Sequence, residues 1–347
     1  MHYFENSKIN SHLSIHKVGN KLNSEFLSLS KKGIGLTKDL SSILSQYFLS
    51  SFKSEEYYRF HHDVALSLNE VYTYVSNIFD NPESLHNESI NLAKHLYNQS
   101  VHPKIKGGEF YVVYFKDCIL NGETLDAIGL FKSENKDTFL EVEQVTEGFD
   151  IESRQGININ KLDKGCLIFN TEKENGFVLS IIDNTNKGSE AQYWKDDFLS
   201  VLVLNNEFHQ TNQFLSITKQ FVTKQLDEEF EISKADKIDL LNRSVDYFKT
   251  HDQFDKEEFE AEVFHHSNII QSFQQFDKTY RQENEVGLSD NFVISEQAVK
   301  KQARVFKSVL KLDKNFHIYI HGNREMIEQG IDKDGRKYYK IYYETET

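Results

Sequence analysis

The feature that most constrains the fold is a block of short apolar segments between Glu109 and Asp183. These segments are rich in β-branched and aromatic residues, which is typical of strands. They read FYVVYF, LDAIGLF, TFLEVEQV, a short INI segment, GCLIFN and FVLSIID. The connections are short, and Asn121-Gly122 is a turn dipeptide, so there is no room for the long crossovers of parallel pairing. The block therefore predicts one main antiparallel sheet.

Helical spacing of apolar residues precedes this block and follows it. Before the block, a strand is predicted at about 7–18, a helix capped by Thr37, and helices at roughly 63–79 and 83–99. After it, helical spacing covers 192–282. The stretches that carry it are an amphipathic run from Tyr193 through Leu202, a second run from Phe214 to Val222, and segments 233–249 and 256–281.

The C-terminal piece predicts a short helix from Ser295 and strands at about 305–312, 316–321 and 337–343. The fold class is therefore α+β: N-terminal helices with a mainly antiparallel sheet, a helical middle segment and a small C-terminal α+β unit. We expect three domains, which are residues 1–205, 206–290 and 291–347. The middle segment holds 18 acidic and 9 basic side chains, whereas the last piece holds 8 acidic and 11 basic and is net positive.

Composition narrows the function classes. A formal charge of -14 argues against a protein that coats an anionic polymer with its whole surface, so any contact with such a polymer must be local. The two cysteines, Cys118 and Cys166, lack the spacing of a metal site, and we expect free thiols in a reducing compartment, with a disulfide as the alternative. No signal-peptide pattern or long apolar window occurs, which predicts a soluble, cytoplasmic protein.

Four stretches carry a family resemblance: KSENKDTFLEVE (132–143), NINKLDKGCLIFN (158–170), YWKDDFL (193–199) and KSVLKLDKNFHIYIHG (307–322). In these stretches the chain resembles the bacterial nucleoid-associated protein family of the NdpA type (YejK-like). The resemblance implies a DNA-linked, non-enzymatic role at the nucleoid. It brings no catalytic residues with it, and the acidity of this chain departs from what tight, direct DNA binding would need.

The basic segment, residues 300–314, is the candidate DNA contact. Six cations in fifteen residues could each meet a backbone phosphate and release counterions. The candidates are Lys300, Lys301, Arg304, Lys307, Lys311 and Lys314. The alternative is an ordinary solvated face. Aromatic residues follow, from Phe316 to Tyr343; they could stack single-stranded bases, although aromatic residues on strands more often pack across strands.

The histidine pairs and the acidic DKDG turn favour structural roles over metal binding. His61-His62 and His265-His266 place neighbouring side chains in diverging directions, and His317 and His321 stand about 13 Å apart on a strand, so no metal site is predicted. These last two histidines could add positive charge to the basic face in mild acid. The DKDG fragment lacks the last ligand of a calcium loop.

No catalytic site or cofactor is predicted either. The chain has no nucleophile elbow and no complete phosphate-binding loop. Asp196-Asp197 fit a structural role at the start of a helix, near the positive end of its dipole, better than a role in acid–base catalysis.

Two leading hypotheses remain open, with a third alternative behind them. The first is a non-enzymatic nucleoid-associated protein that binds DNA weakly and with little sequence preference, as a homodimer that gains avidity from two contacts. The second is a protein-interaction adaptor whose acidic runs, 227–231 and 255–262, dock on a basic DNA-processing partner. An undetected hydrolase or nuclease is the third alternative.

Overall fold

The computed structural model describes residues 2–4, 7–185, 193–306, 309–320 and 324–345. The chain divides into two compact units, residues 1–204 and 205–347. Each unit has its own hydrophobic core. The predicted independence of 206–290 from 291–347 stays a prediction, but Phe214 and Phe292 lie in the same core of the second unit.

Unit 1 is built on an antiparallel sheet, which confirms the predicted fold class. Its strands are β1 (His2–Tyr3), β2 (Lys8–Val18), β3 (Leu27–Ser28), β4 (Tyr57–Phe60), β5 (Gly108–Leu120), β6 (Glu123–Ser133), β9 (Lys164–Phe169), β10 (Val178–Asp183) and β11 (Val201–Val203), and β7 (Asp137–Val145) and β8 (Gly148–Gly156) form a separate hairpin. The order across the sheet is β11-β4-β10-β9-β6-β5-β2-β3, and β1 pairs with the end of β5.

Helices cover both faces of this sheet. They are α1 (Lys38–Leu49), α2 (Glu70–Asp80) and α3 (Leu85–Gln99). Thr37 caps α1 as predicted, because its side chain accepts a hydrogen bond from the Leu40 amide. Residues Phe110 and Val112 of β5 pack on the α2–α3 side, and Tyr111 and Val113 pack on the α1 side. The central strands are therefore buried on both faces, which explains their nearly continuous apolar sequence.

The β7–β8 hairpin corrects one detail of the predicted sheet. The INI segment (157–159) is not a strand, whereas 148–156, a segment that we do not predict as a strand, pairs with β7 along its whole length. The physical reason is local: β8 has only two large apolar residues, Phe149 and Ile151, so its sequence gives a weak strand signal.

The end of unit 1 differs from the predicted amphipathic helix. Tyr193–Leu199 form a π-helical turn, which ends before strand β11. Its side chains Trp194 and Phe198 are buried in the core on the α2–α3 side. The apolar spacing of this segment therefore comes from burial rather than from one long helix.

Unit 2 is mainly helical. Its helices are α4 (Glu207–Gln220), α5 (Leu226–Glu229), α6 (Lys234–Thr250), α7 (Lys256–Phe264), α8 (Ser267–Glu283) and α9 (Glu296–Ala303), with a π-helical turn at Phe221–Gln225. Short strands β12 (Gln253–Asp255) and β13 (Asn291–Val293) pair between them. The predicted segment 256–281 is two helices, because His265 adopts a positive φ of 57° between them.

The C-terminal part of unit 2 holds two hairpins. Their strands are β14 (Val309–Leu312) with β15 (Phe316–Tyr319), and β16 (Ile327–Ile331) with β17 (Lys337–Ile341). The predicted strand at 305–312 is wrong in its first residues. Val305 and Phe306 follow the end of α9 in a turn, in which both amides donate to the Gln302 carbonyl.

Candidate nucleic-acid interface

The basic segment starts on helix α9. Ser295 caps this helix by accepting a hydrogen bond from the Ala298 amide, and Ala298 and Val299 bury its inner side. Lys300 and Lys301 therefore lie on the exposed side. Lys300 Nζ is 3.0 Å from the Glu296 carboxylate one turn earlier, an exposed ion pair that a phosphate could displace at little cost.

Three more of the predicted cations lie after α9. Arg304 follows the last helical residue, Lys311 stands in the middle of β14, and Lys314 lies in the turn between β14 and β15; all three are exposed. Lys307 lies outside the described residues, and so does His321. Strand alternation places Lys311 on the outer face, because its neighbour Leu310 points inward and is buried.

The structure brings Arg304 and Lys311 to one cleft, which we call the basic cleft. It has a volume of about 640 Å³ and is lined by helix α6, the end of α9 and the β14–β15 hairpin. Lys300, Lys301 and Lys314 do not line it. The five described cations thus divide into a pair in the basic cleft, a pair on α9 and one lysine at the hairpin turn.

Two further basic side chains line the basic cleft. His317 is the direct cross-strand partner of Lys311, and Lys249 reaches the cleft from α6. Asp246 supplies a counter charge, since its carboxylate lies 3.0 Å from Lys249 Nζ. The sequence alone cannot assign Lys249 to this site, because it precedes Arg304 by more than fifty residues and only the packing of α6 brings it there.

The aromatic residues of this region pack in part across strands. A Cβ atom on Gly330 would meet the Tyr338 ring at 2.5–2.9 Å, so this ring covers the glycine of the neighbouring strand. Tyr339 packs against the small core around Leu310. Phe316 and Tyr319, by contrast, are 61% and 64% exposed on β15, close to Lys311. A base could reach these two rings.

A polar cleft in unit 1 is a second place where lysines gather, together with Glu134, Asp137 and Asp163, and it is not evident from the sequence. It has a volume of about 680 Å³ and its lining contains four lysines: Lys104, Lys106, Lys136 and Lys161. Lys106 donates to Asn135, Lys136 pairs with Glu109, and Lys161 lies 3.5 Å from Asp137. The lysines are scattered along the sequence, so no basic run signals the site.

Below this cleft lies a buried ionic cluster. Lys132 and Lys164 are cross-strand partners on β6 and β9, and both side chains are fully buried. Glu134 lies 3.0 Å from Lys132 Nζ and 3.7 Å from Lys164 Nζ, while Asp183 lies 2.8 Å from Lys164 Nζ. Tyr193 donates to Glu134 at 2.9 Å. Each charge therefore has an opposite charge within reach.

The electrostatics of the cluster follow from its burial. Burial lowers the pKa of Lys132, and the adjacent Glu134 carboxylate opposes that shift. Burial and the charge of Glu134 together raise the pKa of Tyr193, so its hydroxyl keeps its proton and remains a donor. Three of the stretches that carry the family resemblance, 132–143, 158–170 and 193–199, meet at this cluster. We assign it a structural role, since its ammonium groups are engaged within the cluster.

Three side chains that can ligate a metal lie close together in unit 2. His251, Glu258 and Glu262 each offer a ligand atom, and these atoms lie within 4.8 Å of one another. The His251 ring stacks on Tyr247 at 4.1 Å, and Tyr247 also donates to Glu258 at 2.9 Å. The sequence predicts no metal and gives no sign that these residues are close, because only the packing of the end of α6 against α7 brings them together.

Chelation tests the prediction of a metal-free protein. We expect EDTA to change neither the melting temperature nor DNA binding, and elemental analysis to find no stoichiometric metal. A metal bound at one equivalent in the native protein and absent from His251→Ala would contradict the prediction and identify this triad as the site.

Comparison with known protein families shows which family the chain belongs to. The chain belongs to the nucleoid-associated proteins, since a family model matches residues 14–336, which is most of its length. That family is described as nucleoid-associated protein YejK, and the predicted resemblance is confirmed. No curated protein matches the chain. Within the described residues, no helix is long and apolar enough to cross a membrane.

Proposed function

We propose that this protein acts at the nucleoid, in the cytoplasm, by binding DNA directly, weakly and with little sequence preference. The observation that carries the proposal is the basic cleft, where Arg304 and Lys311 lie together with Lys249 and His317. Lys300 and Lys301 on α9 and Lys314 at the hairpin turn extend this surface. The whole set forms what we call the DNA surface, with Lys307 as a further candidate.

The charge of the chain explains why the binding should be weak. A net charge of -14 repels DNA at long range, so only the short-range contacts of the DNA surface favour association. Lysine and arginine on a strand and at a helix end meet phosphates, which carry no sequence information. We therefore expect both the affinity of the protein for DNA and its preference for particular DNA sequences to be low.

The proposed role is also non-enzymatic. Both cysteines are buried free thiols, and burial raises the pKa of Cys118 to about 11 and that of Cys166 well above its ordinary value. A thiolate nucleophile is thereby disfavoured at neutral pH. A homodimer would double the DNA contact, which matters most when each single contact is weak.

The acidic surface of unit 2 favours a second candidate function. Residues 206–290 hold twice as many acidic as basic side chains. Asp255 caps α7, and the first turn of this helix exposes Glu257 and Glu258. A basic DNA-processing protein could dock there, and the chain would then reach the nucleoid through that partner.

Binding to several duplexes tests the specificity part of the proposal. We expect fluorescence anisotropy at 50 mM salt to give dissociation constants that agree within about threefold for duplexes of equal length and unrelated sequence. Footprinting on a long fragment should show no protected site. One strongly preferred sequence would overturn this expectation, and no binding to any duplex would favour the adaptor function.

A further inference from the structure

The β7–β8 hairpin exposes an apolar face. Its two nine-residue strands pair from Asp137–Gly156 to Val145–Gly148, and among the described residues neither strand pairs with a third. Strand alternation places four large apolar side chains on one face. They are exposed by 58–71%: Leu140, Val142, Phe149 and Ile151.

The opposite face of the hairpin is acidic. It carries Glu141, Glu143, Asp150 and Glu152, with Arg154 paired to Glu141 at 2.6 Å. The apolar face, in contrast, has no charge at any position, since its remaining residues are polar and neutral. These are Thr138, Gln144, Ser153 and Gln155. All charges of the two paired strands thus lie on the acidic face, which also carries Phe139 and Val145, whereas the other face is uncharged.

Such a ribbon needs a cover on its apolar face. Two strands alone are marginally stable in water. Burial of a large aliphatic or aromatic side chain contributes about 1.5–3 kcal/mol, and this face leaves four such side chains exposed. DNA does not fit as the cover, because residues 137–156 carry six carboxylates and one arginine and phosphates would be repelled.

We propose that the apolar face is covered by the same face of a second copy of this chain. An uncharged face is complementary to itself, and a twofold axis near the Val142–Ile151 pair sets apolar side chains against apolar side chains. Packed sheets lie about 10 Å apart, so the carboxylates of both copies point outward and stay roughly 20 Å from each other. At physiological salt that separation exceeds two Debye lengths of about 8 Å, so repulsion is screened.

The size of the face sets the strength of the association. Strands of nine residues span about 30 Å and two strands are about 10 Å wide, so two copies bury roughly 600 Å² in total. Stable interfaces bury about 1,200 Å² or more. We therefore infer a reversible dimer with a dissociation constant in the micromolar range. This inference stands apart from DNA binding and is tested without DNA.

Sedimentation velocity of the whole protein tests the dimer. We expect the sedimentation coefficient to rise between about 5 and 200 μM for the wild type. Val142→Glu places a charge in the apolar face and should keep the protein monomeric over this range. Glu143→Ala, at the adjacent position on the acidic face, should associate like the wild type. A wild type that stays monomeric at 200 μM overturns the proposal, and so does unchanged association of Val142→Glu.

Crosslinking gives a second test with a smaller change of side chain. Both natural cysteines are buried, so a bis-maleimide should react with an added surface cysteine. Val142→Cys should give a covalent dimer whose yield rises with protein concentration, and Glu143→Cys should give little. Equal yields from both variants contradict the proposed face. Circular dichroism of each variant shows whether the fold is retained.

Discussion

Replacement of Glu134 by alanine is expected to lower the free energy of unfolding of unit 1 by about 3–5 kcal/mol, the usual cost of leaving a buried charge without its partner. Glu134 is the carboxylate that lies between Lys132 and Lys164, whose side chains are fully buried. Removing it leaves two ammonium groups facing each other with Asp183 as the remaining acidic partner. Both desolvation and mutual repulsion then oppose the folded state.

Urea unfolding measures this effect in unit 1. Trp194 is the single tryptophan of the chain and is fully buried in unit 1, so its fluorescence reports the unfolding of that unit. Asp80→Ala is the matched control, because it removes an exposed carboxylate that lies 2.8 Å from Lys173 in the same unit. We expect the control to change stability by less than about 1 kcal/mol. If Glu134→Ala unfolds at the same urea concentration as the control, the cluster does not stabilise the fold.

Reversal of two charges in the basic cleft is expected to weaken DNA binding. In the variant Arg304→Glu with Lys311→Glu, two phosphate contacts are lost and two acidic groups face the DNA. We expect affinity to fall at least about tenfold at 50 mM salt, alike for all sequences, and the slope of log K against log salt to flatten by about 2. Both side chains are exposed, so the fold should be retained.

The polar cleft of unit 1 supplies the matched control for this experiment. Lys104→Glu with Lys161→Glu makes the same change of net charge in a cleft that is lined by four lysines. The proposal expects this control to bind DNA nearly as well as the wild type. The reverse result, with loss of binding only in the control, would move the interface to unit 1. Equal losses in both variants would mean that net charge alone sets the affinity.

The sequence predicts the main sheet of unit 1 well, but it does not predict which strands lie outside that sheet. Strands buried on both faces, such as β5 and β9, are apolar throughout and are easily recognised. The alternation in TFLEVEQV indicates a strand, but pairing partners depend on neighbours in space, so the departure of the β7–β8 hairpin from the main sheet is not visible in the sequence. The same limit applies to Val305 and Phe306, neither of which lies in a strand. Phe306 is buried in the core of unit 2 after helix α9, whereas Val305 is 48% exposed.

The candidate sites show where sequence patterns stop being informative. A run of cations is a local signal, and it leads to Arg304 and Lys311, whereas Lys249 joins them only through the packing of α6. A sharper signal was present for the ionic cluster. Lys132 follows the apolar part of one strand, in FKS, and Lys164 begins another, KGCLIF. A charged residue in a buried strand must find a buried partner. The identity of that partner, Glu134, depends on the cross-strand register.

The salt dependence of duplex binding by the wild-type protein tests the central claim most directly. If about five cations of the DNA surface contact phosphates, log K should fall against log salt with a slope of about -4 to -5, and binding should be strong only at low salt. The measurement needs one labelled duplex and a titration between about 30 and 200 mM salt. A slope near zero, or no binding at the lowest salt, would contradict direct contact through the basic cleft.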